Sequence, residues 1–130
     1  MILLDTHTWL WWVQGASASL PPQAAERIRK ADVVAVASVS CLEVAWLAKK
    51  GRIVLPGTVE SFFDEALGKA GLQLLPLTPA IAAKSAALPD IHRDPIDRVI
   101  VATAIEYGAE LVSKDELVAK YPGVQVRWDQ

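Results

Sequence analysis

The sequence has one cysteine, two histidines and no apolar run long enough to cross a membrane. A lone Cys41 excludes an internal disulfide and fits a reducing cytoplasm; it reads as a small core residue. A membrane helix needs roughly 18 consecutive apolar residues, and nothing here approaches that. The chain opens on Ile2-Leu3-Leu4 and an immediate acid, not on a basic segment followed by an apolar one, so no signal peptide is expected. Internal repeats, low-complexity tracts and linkers are missing too. These absences leave one compact domain over residues 1–130, with room for a real core.

What is present is apolar for a soluble protein: 52% hydrophobic residues and a mean hydropathy of +0.27. Such an excess suggests an interface, a homodimer together with a further partner. Trp9, Trp11 and Trp12 cannot all face one core, and with Trp46 they are expected to be covered in part by a partner segment. The formal charge of −2 argues weakly against a nucleic-acid protein. Setting aside Asp5, Glu43, Asp94, Asp97 and Asp115, the acids suspected of gathering at a site, turns the balance positive, so the bulk charge decides nothing.

The chain is organised around His92 to Glu116. Asp94 is placed to cap a helix, Pro95 suits its first position, and Asp97 falls at the third, where an acid meets the helix dipole. From Ile96 to Ile105 the pattern is apolar almost all round, the mark of a buried helix. Asp97 shares a face with Ile100, Val101 and Ala104, and a carboxylate there is costly unless something pairs with it. No partner is evident nearby in sequence. Gly108 ends the helix, Glu110 to Ser113 reads as a strand, and Asp115 sits just past its C-terminal end.

The remainder alternates strand and helix. Ile2 to Leu4 is a strand ended by Asp5, and Thr6 to Gln14 a helix. Gly15 to Pro22 is a loop, and Gln23 to Ala31 a polar helix whose Arg27, Arg29 and Lys30 form a solvated face. Val33 to Ala37 has the β-branched and alanine run of a strand covered on both faces. A helix follows from Cys41 to Lys50, with Ser40 and Glu43 spaced as a capping box and Gly51 as its stop. Thr58 to Ala70 is amphipathic, Leu72 to Leu77 a strand, Pro79 to Leu88 a helix, and Val124 to Trp128 an edge strand. This alternation predicts a three-layer α/β/α sandwich with a mainly parallel sheet.

In such a sheet functional groups gather at the C-terminal ends of the strands. Asp5, Glu43, Asp97 and Asp115 are all placed there. Each also has a local explanation: a helix cap for Asp5, the Ser40 box for Glu43, a helix dipole for Asp97, an Asx-turn for Asp115. Jointly, crowded carboxylates repel and take up protons. A divalent cation relieves that, and oxygen donors select magnesium or manganese over zinc. Such a centre polarises a phosphate oxygen and lowers the pKa of a bound water, as phosphodiester hydrolysis requires. His7 and His92 are read as structural or substrate-facing, not as a metal pair.

These segments, LLDTHTWLWW (Leu3 to Trp12), SVSCLEVAWLAKKGRI (Ser38 to Ile53), HRDPIDRVIVATA (His92 to Ala104) and LVSKDELVAKYPGVQV (Leu111 to Val126), resemble the PIN-domain ribonucleases, specifically the VapC-type toxins of bacterial toxin–antitoxin pairs. The resemblance keeps the family's order and spacing over essentially the whole chain. It implies a PIN-like fold, magnesium-dependent cleavage of RNA, and a cognate VapB-like antitoxin. Position by position, Asp5, Glu43 and Asp97 match the family's metal-binding acids, Asp115 the more variable fourth, and Ser113 the hydroxyl position two residues before it. Asp94 belongs to the same motif and reads as the helix cap first, a site residue second. Lys49, Lys50, Arg52, Arg93 and Arg98 are the bases available to hold an RNA backbone. Two alternatives stand beside this one: a non-catalytic interaction module whose acids merely cap helices, and an aspartyl-phosphate phosphatase. The latter rests on Asp5-Thr6-His7-Thr8, where His7 replaces the second acid.

Overall fold

A computed structural model describes residues 1–15 and 19–130, so part of the expected Gly15–Pro22 loop lies outside the described residues. Five strands form one sheet in the order β3-β2-β1-β4-β5, every neighbouring pair parallel. They are β1 (Ile2–Leu4), β2 (Val34–Ala37), β3 (Gln73–Leu75), β4 (Glu110–Val112) and β5 (Val126–Arg127). The helices between them are α1 (Thr6–Gln14), α2 (Pro22–Lys30), α3 (Ser38–Lys49), α4 (Val59–Phe63), α5 (Pro79–Ala87) and α6 (Pro95–Tyr107). The three-layer α/β sandwich expected from the alternation is the fold observed.

Successive strand residues face opposite sides of the sheet, and the core divides accordingly. Ile2, Leu4, Val36 and Val112 point to one side, where they meet Trp9, Leu10, Ile28, Val44 and Phe62 from α1 to α4. Leu3, Ala35 and Leu111 point to the other, against Ile100, Val101 and Ala104 of α6. All three residues of β1 are buried, as the continuous apolar runs anticipate for a sheet covered on both faces. Trp9 is wholly enclosed and donates its indole N–H to the Ala66 carbonyl at 3.0 Å, whereas Trp11 and Trp12 are half-buried.

The order of the strands places the site. From β1 the chain moves outward through β2 and β3, then returns to the other side of β1 for β4 and β5. The direction reverses between β1 and β4, and the C-terminal ends of strands flanking such a reversal leave an open crevice. Asp5 and Asp115 follow those two strands. The buried helix α6 ends as anticipated: Gly108 takes φ 62°, which a side chain would resist, and the Ala109 N–H closes on the Ala104 carbonyl.

Three local expectations need correction. Helix α3 starts at Ser38 rather than Cys41, so Ser40 lies inside it and no Ser40–Glu43 capping box forms. The hydroxyls are engaged elsewhere: Ser40 Oγ accepts from Thr6 Oγ1 at 2.9 Å, and Ser38 Oγ accepts from the Leu77 N–H at 3.0 Å. Tertiary partners have outbid the local cap, and Glu43 falls in the second helical turn. Second, Thr58 caps α4 as its position suggests, but the expected single helix becomes α4 followed by π-helical Asp64–Lys69. The Ala66 carbonyl in that wider turn is the one that receives Trp9. Third, β1 spans the expected residues, but β2 to β5 are each shorter than the apolar runs imply, by one to three residues.

Candidate metal centre

Asp5, Glu43, Asp94, Asp97 and Asp115 line one open cavity of about 420 Å³, together with His7, Trp11, His92 and Lys114. The chain positions them by different means. Asp5 leaves β1 and caps α1, its Oδ1 accepting from the Thr8 N–H at 3.0 Å. Its Oδ2 accepts from the buried Ser113 hydroxyl at 2.5 Å, and Ser113 Oγ in turn accepts from the Asp115 N–H at 3.1 Å. Asp115 Oδ1 closes an Asx-turn on the Leu117 N–H at 2.8 Å. Asp94 caps α6 through the Ile96 N–H at 2.9 Å. The local roles foreseen for these three acids are therefore real, and their carboxylates face the cavity as well.

Asp97 differs. Its recorded partner is His92, whose Nε2 lies 3.2 Å from Asp97 Oδ2 and 2.9 Å from Asp115 Oδ2. The ring accepts from the Asp94 N–H at its Nδ1, at 3.1 Å. A nitrogen that accepts carries no proton, which leaves Nε2 to present the ring N–H between the two carboxylates. Burial raises the Asp97 carboxyl from the ordinary 3.8 to about 7; Asp94 adds to the rise, His92 opposes it, and Glu43 and Asp115 contribute further. Sequence reasoning left Asp97 without a partner. The signal was available in His92-Arg93-Asp94, because a histidine two residues before a capping Asp can receive that residue's N–H.

The donors fit a hard divalent cation. Among the described residues, His92, Asp97 and Asp115 form the group whose candidate ligand atoms all lie within 4.8 Å of one another. With its proton on Nε2 the His92 ring offers no lone pair there, which leaves carboxylate oxygens as the donor set. Asp5 and Glu43 line the same cavity outside that tightest group. Oxygen donors suit a hard divalent cation, and such an ion would relieve the crowding that holds the Asp97 carboxyl up.

The basic residues separate into two kinds. Lys50 and Arg52 are exposed and line a neighbouring cavity of about 590 Å³, which shares Glu43 and Asp94 with the first. Arg93 is also exposed. Arg98, expected to touch substrate, does something else. Its guanidinium donates to the carbonyls of Ser85, Leu88 and Pro89 at 2.8, 2.8 and 2.9 Å. It clamps the turn between α5 and α6, from which His92 is presented, and its donors are committed to the chain's own backbone. On α2, Arg29 and Lys30 pair with Glu26, as a solvated face would.

Comparison with known proteins agrees with this arrangement. The PIN domain family matches residues 2–124. The chain belongs to the PIN-domain family. It is 41% identical over 115 residues to Ribonuclease VapC22 of Mycobacterium tuberculosis, covering 88% of this chain and 86% of that one. Among solved structures, the DNA-bound VapBC complex from Salmonella typhimurium contains a chain of the same fold, with a TM-score of 0.71 and 18% identity over 97% of this chain and 96% of that one. A toxin–antitoxin complex from Klebsiella pneumoniae contains another, with a TM-score of 0.65 and 22% identity over 100% of this chain and 98% of that one. In this PIN domain no helix among the described residues is long and apolar enough to cross a membrane.

Proposed function

We propose that this PIN domain is a magnesium-dependent endoribonuclease and the toxin of a toxin–antitoxin pair. The observation that carries the reading is the single cavity at the β1/β4 reversal into which Asp5, Glu43, Asp97 and Asp115 all project. The relative named as a ribonuclease, 41% identical over most of the chain, supports the substrate class. Asp5, Glu43, Asp97 and Asp115 hold the cation; manganese can replace magnesium. When bound, the cation polarises the scissile phosphate and lowers the pKa of the attacking water. The protein's own part is placement. Ser113 fixes Asp5 and, through the Asp115 N–H, the turn after β4, while His92 holds Asp97 and Asp115 together through one N–H. Lys50, Arg52 and Arg93 supply positive charge for the RNA backbone.

A module whose acids only cap helices accounts for Asp5, Asp94 and Asp115 but not for Asp97, a partly buried acid held by a histidine. The phosphatase reading also weakens, because His7 stands where the second acid of that loop is needed. The partner reading draws on the neighbours of this fold, which include the VapBC complex and the Klebsiella pneumoniae toxin–antitoxin complex. A cognate antitoxin segment would cover apolar surface such as the half-buried Trp11 and Trp12. The deciding experiment incubates the purified chain with total cellular RNA, with and without magnesium, and maps the new 5′ ends. Discrete magnesium-dependent ends are expected; their absence, with the protein folded, ends the nuclease reading.

A further inference from the structure

Helix α3 carries an exposed indole, Trp46, that neither the metal centre nor the fold uses. Glu43, Trp46, Leu47 and Lys50 recur at the spacing that puts residues on one helical face. Trp46 is 49% exposed, although an indole of this size ordinarily finds cover. The Lys49 and Lys50 ammonium groups lie 5.0 and 5.8 Å from its ring centroid. Among the described residues, none of Lys49, Lys50 and Arg52 forms an ion pair. The cavity beside this face adjoins the acidic one, and Glu43 and Asp94 line both.

We propose that Trp46 is a stacking platform for a base of the single-stranded RNA substrate, with Lys50 and Arg52 holding the adjoining phosphates. The proposal rests on the nuclease reading above and names what determines how the strand lies. An α-helix rises about 1.5 Å per residue, so Trp46 stands about 4.5 Å along the face from Glu43 and Lys50 about 10.5 Å. Stacked nucleotides advance about 3.4 Å each along a strand, which places the ring about one nucleotide from the centre and Lys50 about three. Phosphates on the cations and a base on the indole are the pairing that single-strand sites use, and stacking tolerates any base. The occupant is chosen by charge: Lys49 and Lys50 flank the ring, Arg52 lines the same cavity, and the face borders the acidic cavity through Glu43. An arriving base displaces one ammonium from the ring and leaves it beside the strand, where a phosphate replaces the ring as its partner.

The test uses the full chain in EDTA, so that binding is read without cleavage, with a mixed ten-nucleotide RNA and an abasic oligomer of equal length. RNA should quench tryptophan fluorescence. Trp46→Leu should lose most of that quench and bind RNA at least about fivefold more weakly, with the abasic oligomer unaffected and the salt dependence unchanged. Trp46→Phe should recover most of the affinity. Lys50→Ala and Arg52→Ala should weaken both ligands and each lower the slope of log K against log salt by about 0.7. Because Trp46 is half exposed, matching melting temperatures verify that Trp46→Leu is folded. The proposal is overturned if Trp46→Leu binds RNA like the wild type with the quench intact, or if it loses the abasic oligomer equally. It is also overturned if the variant keeps RNA but releases a co-expressed antitoxin, which assigns the face to a protein. Magnesium-dependent cleavage by the wild type is scored separately. Stacking without cleavage removes the nuclease reading alone, and cleavage without stacking removes this one alone.

Discussion

The Ser113 hydroxyl is hydrogen-bonded to Oδ2 of Asp5 across 108 positions of sequence, joining the C-terminal ends of β1 and β4. Ser113 is buried, and its oxygen also receives the Asp115 N–H, so one hydroxyl sets the position of two candidate cation ligands. A side chain that touches ligands rather than the ion tunes affinity through their orientation.

Ser113→Ala should therefore cost about 1 kcal/mol of stability, the ordinary net worth of a hydrogen bond. Its effect on the cation should be larger. Magnesium affinity, measured by calorimetry on the folded variant, should fall about tenfold or more. Unchanged affinity would mean that Asp5 is held by the Thr8 N–H alone and that Ser113 is only a strand-end residue.

The pH dependence follows from Asp97. Its carboxyl is raised from 3.8 to about 7, mainly by burial, so the folded protein binds a proton that the unfolded chain has released. Stability from this residue is then complete below about pH 4 and is lost as pH rises through about 7. In EDTA, urea unfolding should show wild type losing stability across that window relative to Asp97→Asn. Saturating magnesium should abolish the loss, and at pH 6 cation binding should release protons, seen as a buffer-dependent calorimetric heat. Parallel pH profiles for wild type and variant would refute the crowded-acid account.

Helix α6 was legible because its signals are local: Asp94 cap, Pro95, Asp97 in the first turn, a continuous apolar pattern, Gly108 stop. The short strand β1 was equally plain, since three apolar residues followed by an acid leave little else to form. The failures share one cause. Ser40 carries a hydroxyl that local spacing assigns to a cap, but Thr6, 34 residues away, claims it. Arg98 reads as a phosphate contact from its place beside the acids, and only the fold shows three carbonyls converging on it. The π-helical turn after α4 likewise holds a long-range contact, the Ala66 carbonyl accepting from Trp9, 57 residues earlier. The acids that line one cavity could be grouped in advance because strand ends converge by topology; their pairing with His92 was missed because the spacing of His92 and the capping Asp94 went unread.

Arg98 separates structural from substrate roles. Arg98→Ala leaves the carbonyls of Ser85, Leu88 and Pro89 without their donor and should cost about 2–3 kcal/mol, read by urea unfolding. Arg98→Lys should recover little, because an ammonium cannot reproduce the planar fork. RNA affinity of the folded fraction should be unchanged. A salt-dependent loss of RNA binding without loss of stability would return Arg98 to the substrate.

The acids and the exposed bases should fail in opposite ways. Asp5→Asn or Asp97→Asn removes a cation ligand, so cleavage should fall roughly 10²-fold or more while RNA binding is retained or strengthened, negative charge having been removed. The same change should abolish most of the thermal upshift that magnesium gives the wild type. At a cation concentration 100 times Kd that upshift corresponds to about 2.7 kcal/mol. Without metal, Asp97→Asn should be at least as stable as wild type, because like-charge repulsion is relieved; a mere helix cap would lose stability instead. Lys50→Ala and Arg52→Ala should raise the RNA concentration needed for half-maximal rate and leave turnover at saturation largely intact. In a host cell the acid variants should be harmless, and the basic ones toxic, though less so than the wild type. Wild-type cleavage by Asp97→Asn in magnesium would show that the cavity at the β1/β4 reversal is not where the chemistry happens.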